Sequence, residues 1–136
     1  MRVFLDANVL FSAAKSDGAV RRLLALLLAE GHVLCADSYV VAEARRNLQT
    51  KGRASLDVFD GLLERLELSE GQAPSGATPP VLVLPEKDRP VLRAAVWMRC
   101  QALVTGDKAH FGRFYGRALE GVAIHSPRSL AEALLI

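Results

Sequence analysis

The sequence predicts an α/β fold in which short parallel strands are covered by helices on both faces. Three observations predict it. Short apolar runs alternate with longer helical stretches along the 136 residues. The first run, Val3-Phe4-Leu5, is continuously apolar, as in a strand buried on both faces. It runs straight into a carboxylate, Asp6, at the strand end where open α/β sheets bind their ligands.

The elements follow in chain order. The first strand ends at Asp6, and an apolar helical pattern begins near Asn8. Ser16-Asp17-Gly18 is a turn. Ala19 to Glu30 is a leucine-rich helix, closed by Gly31 just past its end. Its apolar surface extends nearly all round, which calls for core packing or a subunit interface. His32 to Ala36 is a second strand. Asp37-Ser38 is an N-cap signal for a helix through about Gln49. Gly52 breaks that helix, and Ala54 to Leu66 continues as an amphipathic one. Ser69 to Pro80 is a polar surface connection, and Val81 to Leu84 reads as a third buried strand. Asp88 caps a helix to about Arg99, with Pro90 in the first turn where proline is tolerated. Ala102 to Thr105 is a fourth strand and Gly121 to His125 a weaker fifth. Ser126-Pro127 opens the last helix, Leu130 to Leu135.

Composition bounds the class. The length suits one domain spanning residues 1–136 and is short for two. With 51% hydrophobic and 24% charged residues the chain is globular rather than disordered. A net charge of +2 is too small to announce nucleic-acid binding by itself. Cys35 and Cys100 lie far apart in apolar surroundings and fit neither a disulfide framework nor a metal cluster. Two reduced, buried thiols and the absence of a signal-peptide layout lead to the expectation of a cytoplasmic protein. The longest apolar run, Leu23 to Ala29, is too short to span a membrane.

Four carboxylates fall at element boundaries that a parallel sheet brings together: Asp6, Glu43, Asp88 and Asp107. Each has a purely structural alternative. Asp6 and Asp88 are good helix caps, Asp107 is a good turn residue, and Glu43 could be a solvated helix acid. Four acids at one edge repel one another unless a cation neutralises them, and hard oxygen ligands suit Mg²⁺ or Mn²⁺. No His or Cys pair stands at zinc-ligand spacing. His110, close to Phe111 and Phe114, reads as a packed or surface residue. A basic rim would offset the acids toward a polyanion, with Arg45, Arg46, Lys51, Arg53 and Lys108 as candidates and Arg113 and Arg117 further out.

The pieces Phe4-Leu5-Asp6-Ala7-Asn8-Val9-Leu10, Ser38-Tyr39-Val40-Val41-Ala42-Glu43, Lys87-Asp88-Arg89-Pro90-Val91-Leu92-Arg93-Ala94-Ala95 and Leu103-Val104-Thr105-Gly106-Asp107-Lys108 together resemble a PIN domain. This is the small Mg²⁺-dependent ribonuclease fold that includes VapC-type toxins of toxin–antitoxin pairs. The likeness spans nearly the whole chain, and its specificity lies in the ordered set rather than in any one piece. It implies a three-layer α/β/α sandwich with strand order 3-2-1-4-5. It implies that Asp6, Glu43, Asp88 and Asp107 form the catalytic metal cluster, with Asn8, Ser38 and Thr105 as supporting polar groups. Asp6 and Asp107 would hold the principal ion, while Glu43 and Asp88 would orient its waters or hold a second. It implies an RNA substrate, hydrolysis of phosphodiester bonds, an antitoxin partner and a homodimer for which the leucine-rich helix offers a surface. One departure is Ala109, where many relatives carry a further acid, which leaves three or four acids for the site.

Two other readings compete. A PIN fold without activity would serve as an RNA- or protein-binding module. Haloacid-dehalogenase-like phosphatases also open with an apolar strand running into Asp-x-Asp and later carry Gly-Asp. Here Asn8 replaces their second Asp, and Glu43 and Asp88 would have no role.

Overall fold

The computed structural model describes residues 1–70 and 82–136. Strand β1 (Arg2–Leu5) lies at the centre of the sheet, because its apolar side chains leave no polar face to turn toward water. It pairs in parallel with β2 (Val33–Asp37) on one side and β4 (Ala102–Val104) on the other. Beyond β2 lies β3 (Glu67–Ser69), also parallel. Beyond β4 lies β6 (Val122–His125), parallel, with the two-residue β5 (Ala118–Leu119) antiparallel to it at the outer edge. The order is therefore β3-β2-β1-β4-β6-β5. The five parallel strands keep the expected order 3-2-1-4-5, and β5 adds an edge hairpin that sequence reading did not anticipate.

The expected third strand is corrected. Val81 lies outside the described residues, as does the expected surface connection from residue 71 onward. Leu82 to Leu84 form a helical residue, a turn and a bend instead of a strand. Leu82 and Val83 are about half exposed, and only Leu84 is buried. Their carbonyls go to arginines rather than to a ladder: Arg89 donates to Leu84 O (3.0 Å) and Leu82 O (3.5 Å), and Arg113 donates to Val83 O (3.1 Å). The third strand is the more polar Glu67-Leu68-Ser69, which takes the open edge of β2. An ion pair between Arg2 and Glu67 joins the side chains of β1 and β3 across β2.

Helices α1 (Ala7–Lys15), α2 (Ala19–Ala29), α3 (Ser38–Lys51) and α4 (Leu56–Leu63) belong to the two crossovers that run from β1 to β2 to β3. Right-handed connections place all four on one face of the sheet. There α1 packs against α2, α3 and α4. Helix α5 (Arg89–Trp97) returns the chain to β4 on the opposite face and packs on β2 and β4. The short α6 (Lys108–Phe111) follows β4, and α7 (Pro127–Leu134) closes the chain behind a Ser126–Ser129 capping box. Phe4, Leu5, Leu10, Leu34, Leu48, Leu92 and Leu103 fill the core between the layers. Helix α2 divides its leucines: Leu23, Leu24 and Leu27 are buried, while Leu26 is 42% exposed. Gly31 has φ +86° and ends α2 in the left-handed conformation that its position suggested. Cys35 and Cys100 are buried free thiols, as expected. No helix among the described residues is long and apolar enough to cross a membrane.

Candidate active site

All the parallel strands point the same way, so their C-terminal ends form one edge of the sheet. Asp6 follows β1 there, and its neighbour across the ladder is Thr105, which follows β4. The Asp6 backbone extends the pairing through its N–H to Val104 O (3.0 Å). One Asp6 oxygen accepts from the Ala7 amide at the start of α1 (2.8 Å), and the other accepts from the Thr105 hydroxyl (2.8 Å). Asp6 is thus both a helix cap and a member of a buried polar set. Thr105 is fully buried and Asp6 is 5% exposed.

Asn8 fastens the two loops together. Its Oδ1 accepts from the Gly106 amide (2.7 Å), and its Nδ2 reaches Thr105 Oγ1 (3.4 Å) and Asp6 Oδ2 (3.5 Å). A Cβ at position 106 would stand 3.3 Å from Asn8 Oδ1, so the close approach favours glycine. Thr105 Oγ1 also accepts from the Asp107 amide (3.1 Å), and Tyr115 holds the Thr105 carbonyl (2.9 Å). These bonds set the position of Asp107, which caps α6 by accepting from the His110 amide (3.2 Å).

Asp88 comes from the other side. It ends the 3₁₀ turn Glu86–Asp88 and stands before α5. The capping role expected from sequence is not played by its side chain, which makes no hydrogen bond to the helix. The carboxylate faces the acid cluster instead, with its Oδ2 buried. His110 Nδ1 lies 2.9 Å from that oxygen and 2.7 Å from Asp107 Oδ2. One ring nitrogen carries at most one proton, so the two carboxylates share a single imidazole donor.

Four expected acids therefore share one cavity of about 210 Å³, lined by Asp6, Asn8, Tyr39, Glu43, Asn47, Lys87, Asp88, Val91 and Asp107. Burial pushes the Asp6 carboxyl up to about 6, and the nearby Glu43 and Asp88 charges add to the rise. The Thr105 and Ala7 hydrogen bonds oppose it only in part. Asp88 is also raised, first by burial, with the His110 charge working against the shift and the Asp107 charge adding to it.

This donor set fits a divalent cation. Asp88, Asp107 and His110 each offer a ligand atom, all within 4.8 Å of one another. The remaining donors are carboxylate oxygens, which suit hard ions such as Mg²⁺ or Mn²⁺. A buried carboxylate oxygen that shares its one protein donor with a second acid is the kind of group that such an ion satisfies.

The other expected residues divide. Ser38 is exposed at the first position of α3 and does not line the cavity; the neighbouring Asp37 caps α3 through Val40 N (3.2 Å). Arg45 is held against α4 by Asp60 (3.0 Å) and lies over the Phe59 ring. Arg46 is exposed and close enough to Tyr39 to act on its hydroxyl electrostatically. Lys51, the last residue of α3, and Arg53 just past it are exposed at the far end of the helix. Lys51 is eight residues past Glu43, about 12 Å along the helix axis. Lys108 is exposed beside Asp107, and Arg113 stacks on Phe114. His110, read from sequence as packed or surface, sits between two of the acids. Its spacing of three residues from Asp107 is the signal that could have placed it there. Lys87, Tyr39 and Asn47 also line the cavity; the first two stand in the pieces that resemble the family, but the sequence reading gave none of the three a role.

The sequence profile of the PIN domain family matches residues 2–109. No curated protein sequence matches the chain. Among solved structures, the chain is similar to VapBC2 from Rickettsia felis bound to a DNA fragment from their promoter. That match has 18% identity and a TM-score of 0.63, and covers 93% of this chain and 98% of that one. VapBC-1 from nontypeable Haemophilus influenzae is similar at 13% identity and a TM-score of 0.60, over 94% and 99% of the two chains. FitAcB from Neisseria gonorrhoeae is similar at 17% identity and a TM-score of 0.53, over 93% and 98%. These likenesses in fold agree with the profile match. The competing phosphatase reading loses its footing, because Asn8 ties loops together and Glu43 and Asp88 both face the cavity. With four-fifths of its length matched by one family and its sheet in that family's expected order, the chain belongs to the PIN domain family.

Proposed function

We propose that this protein is a divalent-metal-dependent endoribonuclease that hydrolyses RNA phosphodiester bonds. One observation carries the reading: Asp6, Glu43, Asp88 and Asp107 converge on a single cavity. Asp6, Asp88 and Asp107 would hold Mg²⁺ or Mn²⁺, with Glu43 beside them and His110 within ligand reach between Asp88 and Asp107. Such an ion supplies Lewis-acid chemistry, acidifying a water and neutralising phosphate charge. The chain's own residues do the rest. Thr105 and Asn8 fix the two loops and so keep the carboxylates convergent. Lys87 at the cavity and Lys108 beside Asp107 offer positive charge to a polyanion that the acids alone would repel.

The test is RNA cleavage with added Mg²⁺ or Mn²⁺, by the wild type and by Asp6→Asn. Metal-dependent cleavage that falls more than about a hundredfold in the variant supports the reading. Cleavage that persists in chelator or survives Asp6→Asn overturns it, as does the absence of cleavage with either metal.

The likeness in fold to VapBC2, VapBC-1 and FitAcB supports a further element of the proposal: the chain is the toxin of a toxin–antitoxin pair. Co-expression with the reading frame beside its gene tests the pairing. A small protein that co-purifies and suppresses cleavage supports it, and a neighbour with no effect on cleavage contradicts it.

A further inference from the structure

Helix α3 turns a stripe of three side chains toward the acid cavity. Tyr39, Glu43 and Asn47 are spaced i, i+4, i+8, so they lie one above another on the same face. Glu43 belongs to the acid cluster. The other two are uncharged and flank it, one aromatic and one amide. Tyr39 is the one aromatic side chain among the described residues that line the cavity. It is 42% exposed. It is also fixed. Its hydroxyl donates to the Lys87 carbonyl (3.0 Å), which ties α3 to the 3₁₀ turn that carries Asp88. The ring therefore stands at a set distance from the acids, with one end satisfied and its apolar area open at the cavity mouth. The Lys87 side chain lies in the same lining.

An exposed ring locked beside a phosphate-directed site, with a cation next to it, has the chemistry of a nucleobase platform. Bases stack on aromatic rings whatever their identity, because every base has a π-face. Bases inside an A-form helix are already stacked and cannot be offered to such a ring, whereas those of single strands and loops can. Resting on the ribonuclease reading above, we propose that Tyr39 is the platform on which an unpaired base next to the scissile phosphate stacks. Lys87 contacts a phosphate of the same strand, and Asn47 stands across Glu43 where an amide can reach a base edge.

The experiment uses short single-stranded RNAs with an abasic nucleotide moved position by position past the cut, and a duplex of the same sequence. For the wild type, one abasic position should raise KM about 5- to 100-fold, and the duplex should be cleaved poorly. Tyr39→Ala should raise KM for the intact strand by a similar factor and lose the abasic sensitivity. Tyr39→Phe, which keeps the ring, should keep it. Tyr39→Ala that cleaves the intact strand with unchanged KM, or that retains the abasic penalty, overturns the proposal. A second readout does not depend on cleavage. Asp6→Asn is titrated with RNA carrying 2-aminopurine, whose fluorescence reports stacking. Quenching that vanishes in Asp6→Asn/Tyr39→Ala supports the platform even if no RNA is cut and the ribonuclease reading fails. Absence of quenching, or quenching indifferent to Tyr39, overturns the platform while leaving a metal-dependent cleavage reading intact.

Discussion

The two edges of the sheet treat charge in opposite ways. At the edge where the strands begin, Arg2 is paired with Glu67 and donates twice to the Met98 carbonyl (3.0 and 2.8 Å). The Arg2 partner holds the Glu67 carboxyl below its ordinary range. Arg2 and Glu67 meet each other there, and Arg2 a carbonyl as well. At the edge where the strands end, three Asp and one Glu share a cavity with one imidazole between two of them. Burial and neighbouring acids push Asp6 up to about 6, and Asp88 and Asp107 share the one imidazole nitrogen. The first edge is closed within the chain. The second gathers like charges, which the proposed divalent cation would neutralise. A fold does not keep such an arrangement for its own stability, since like charges at close range cost free energy. The contrast is the physical reason to place function at one edge and architecture at the other.

Exchanging one carboxylate at each edge gives the sharpest break. Asp6→Asn should lower metal-dependent RNA cleavage more than about a hundredfold, whereas Glu67→Gln should leave it within about twofold. Steady-state cleavage assays on the two variants check this. Equal losses would mean that the two edges do not differ in the way described.

The next effect is on stability in chelator. An unfolded Asp titrates near 3.9, while Asp6 in the folded chain holds its proton to about 6. Between these values the folded state binds the extra proton, so the Asp6 contribution favours folding at low pH and is lost as pH rises through about 6. The loss is about 3 kcal/mol by that difference. Urea melts from pH 4 to 8 in EDTA should therefore show wild-type stability falling relative to Asp6→Asn across this range. A difference that stays flat contradicts the buried, uncompensated charge.

Much of this edge was legible in the sequence, and the reasons are local. Val3-Phe4-Leu5 could only be a covered strand, and the acid after it had to stand at the strand end. Gly31, Asp37 and Ser126 mark helix ends by backbone chemistry that depends on few other residues. The misses depend on distant partners. Val81 to Leu84 carries strand-like residues, but the open edge of β2 was taken by Glu67-Leu68-Ser69, and Arg89 and Arg113 claimed the carbonyls at 82–84. Asp88 has an ordinary capping position, and only the tertiary structure shows that its carboxylate turns to the acids instead. His110 was judged by the apolar residues beside it in sequence, while its ring is aimed by Asp107 and Asp88. Arg45 was a rim candidate by charge, but Asp60 and Phe59 hold it against α4.

That last residue supplies the smallest effect. Arg45→Ala should cost no more than about 1 kcal/mol in thermal or urea melts, as expected for a partly exposed pair with a ring contact. It should leave RNA affinity and its salt dependence unchanged. Lys87→Ala should instead weaken RNA binding and lower the salt slope by about one. Titrations between low and moderate salt separate the two, and identical behaviour would remove the distinction between structural and substrate-facing cations.

The central claim is that the acid edge is completed by a divalent cation. Its most direct measurement is thermal unfolding with and without millimolar Mg²⁺ or Mn²⁺, for the wild type, Asp107→Asn and Glu67→Gln. Binding at a hundred times Kd would stabilise the folded state by about 2.7 kcal/mol, a rise of several degrees in Tm for a domain of this size. The wild type and Glu67→Gln should both show that rise, and Asp107→Asn should show none. A wild-type Tm indifferent to either metal, or an undiminished shift in Asp107→Asn, would contradict the account.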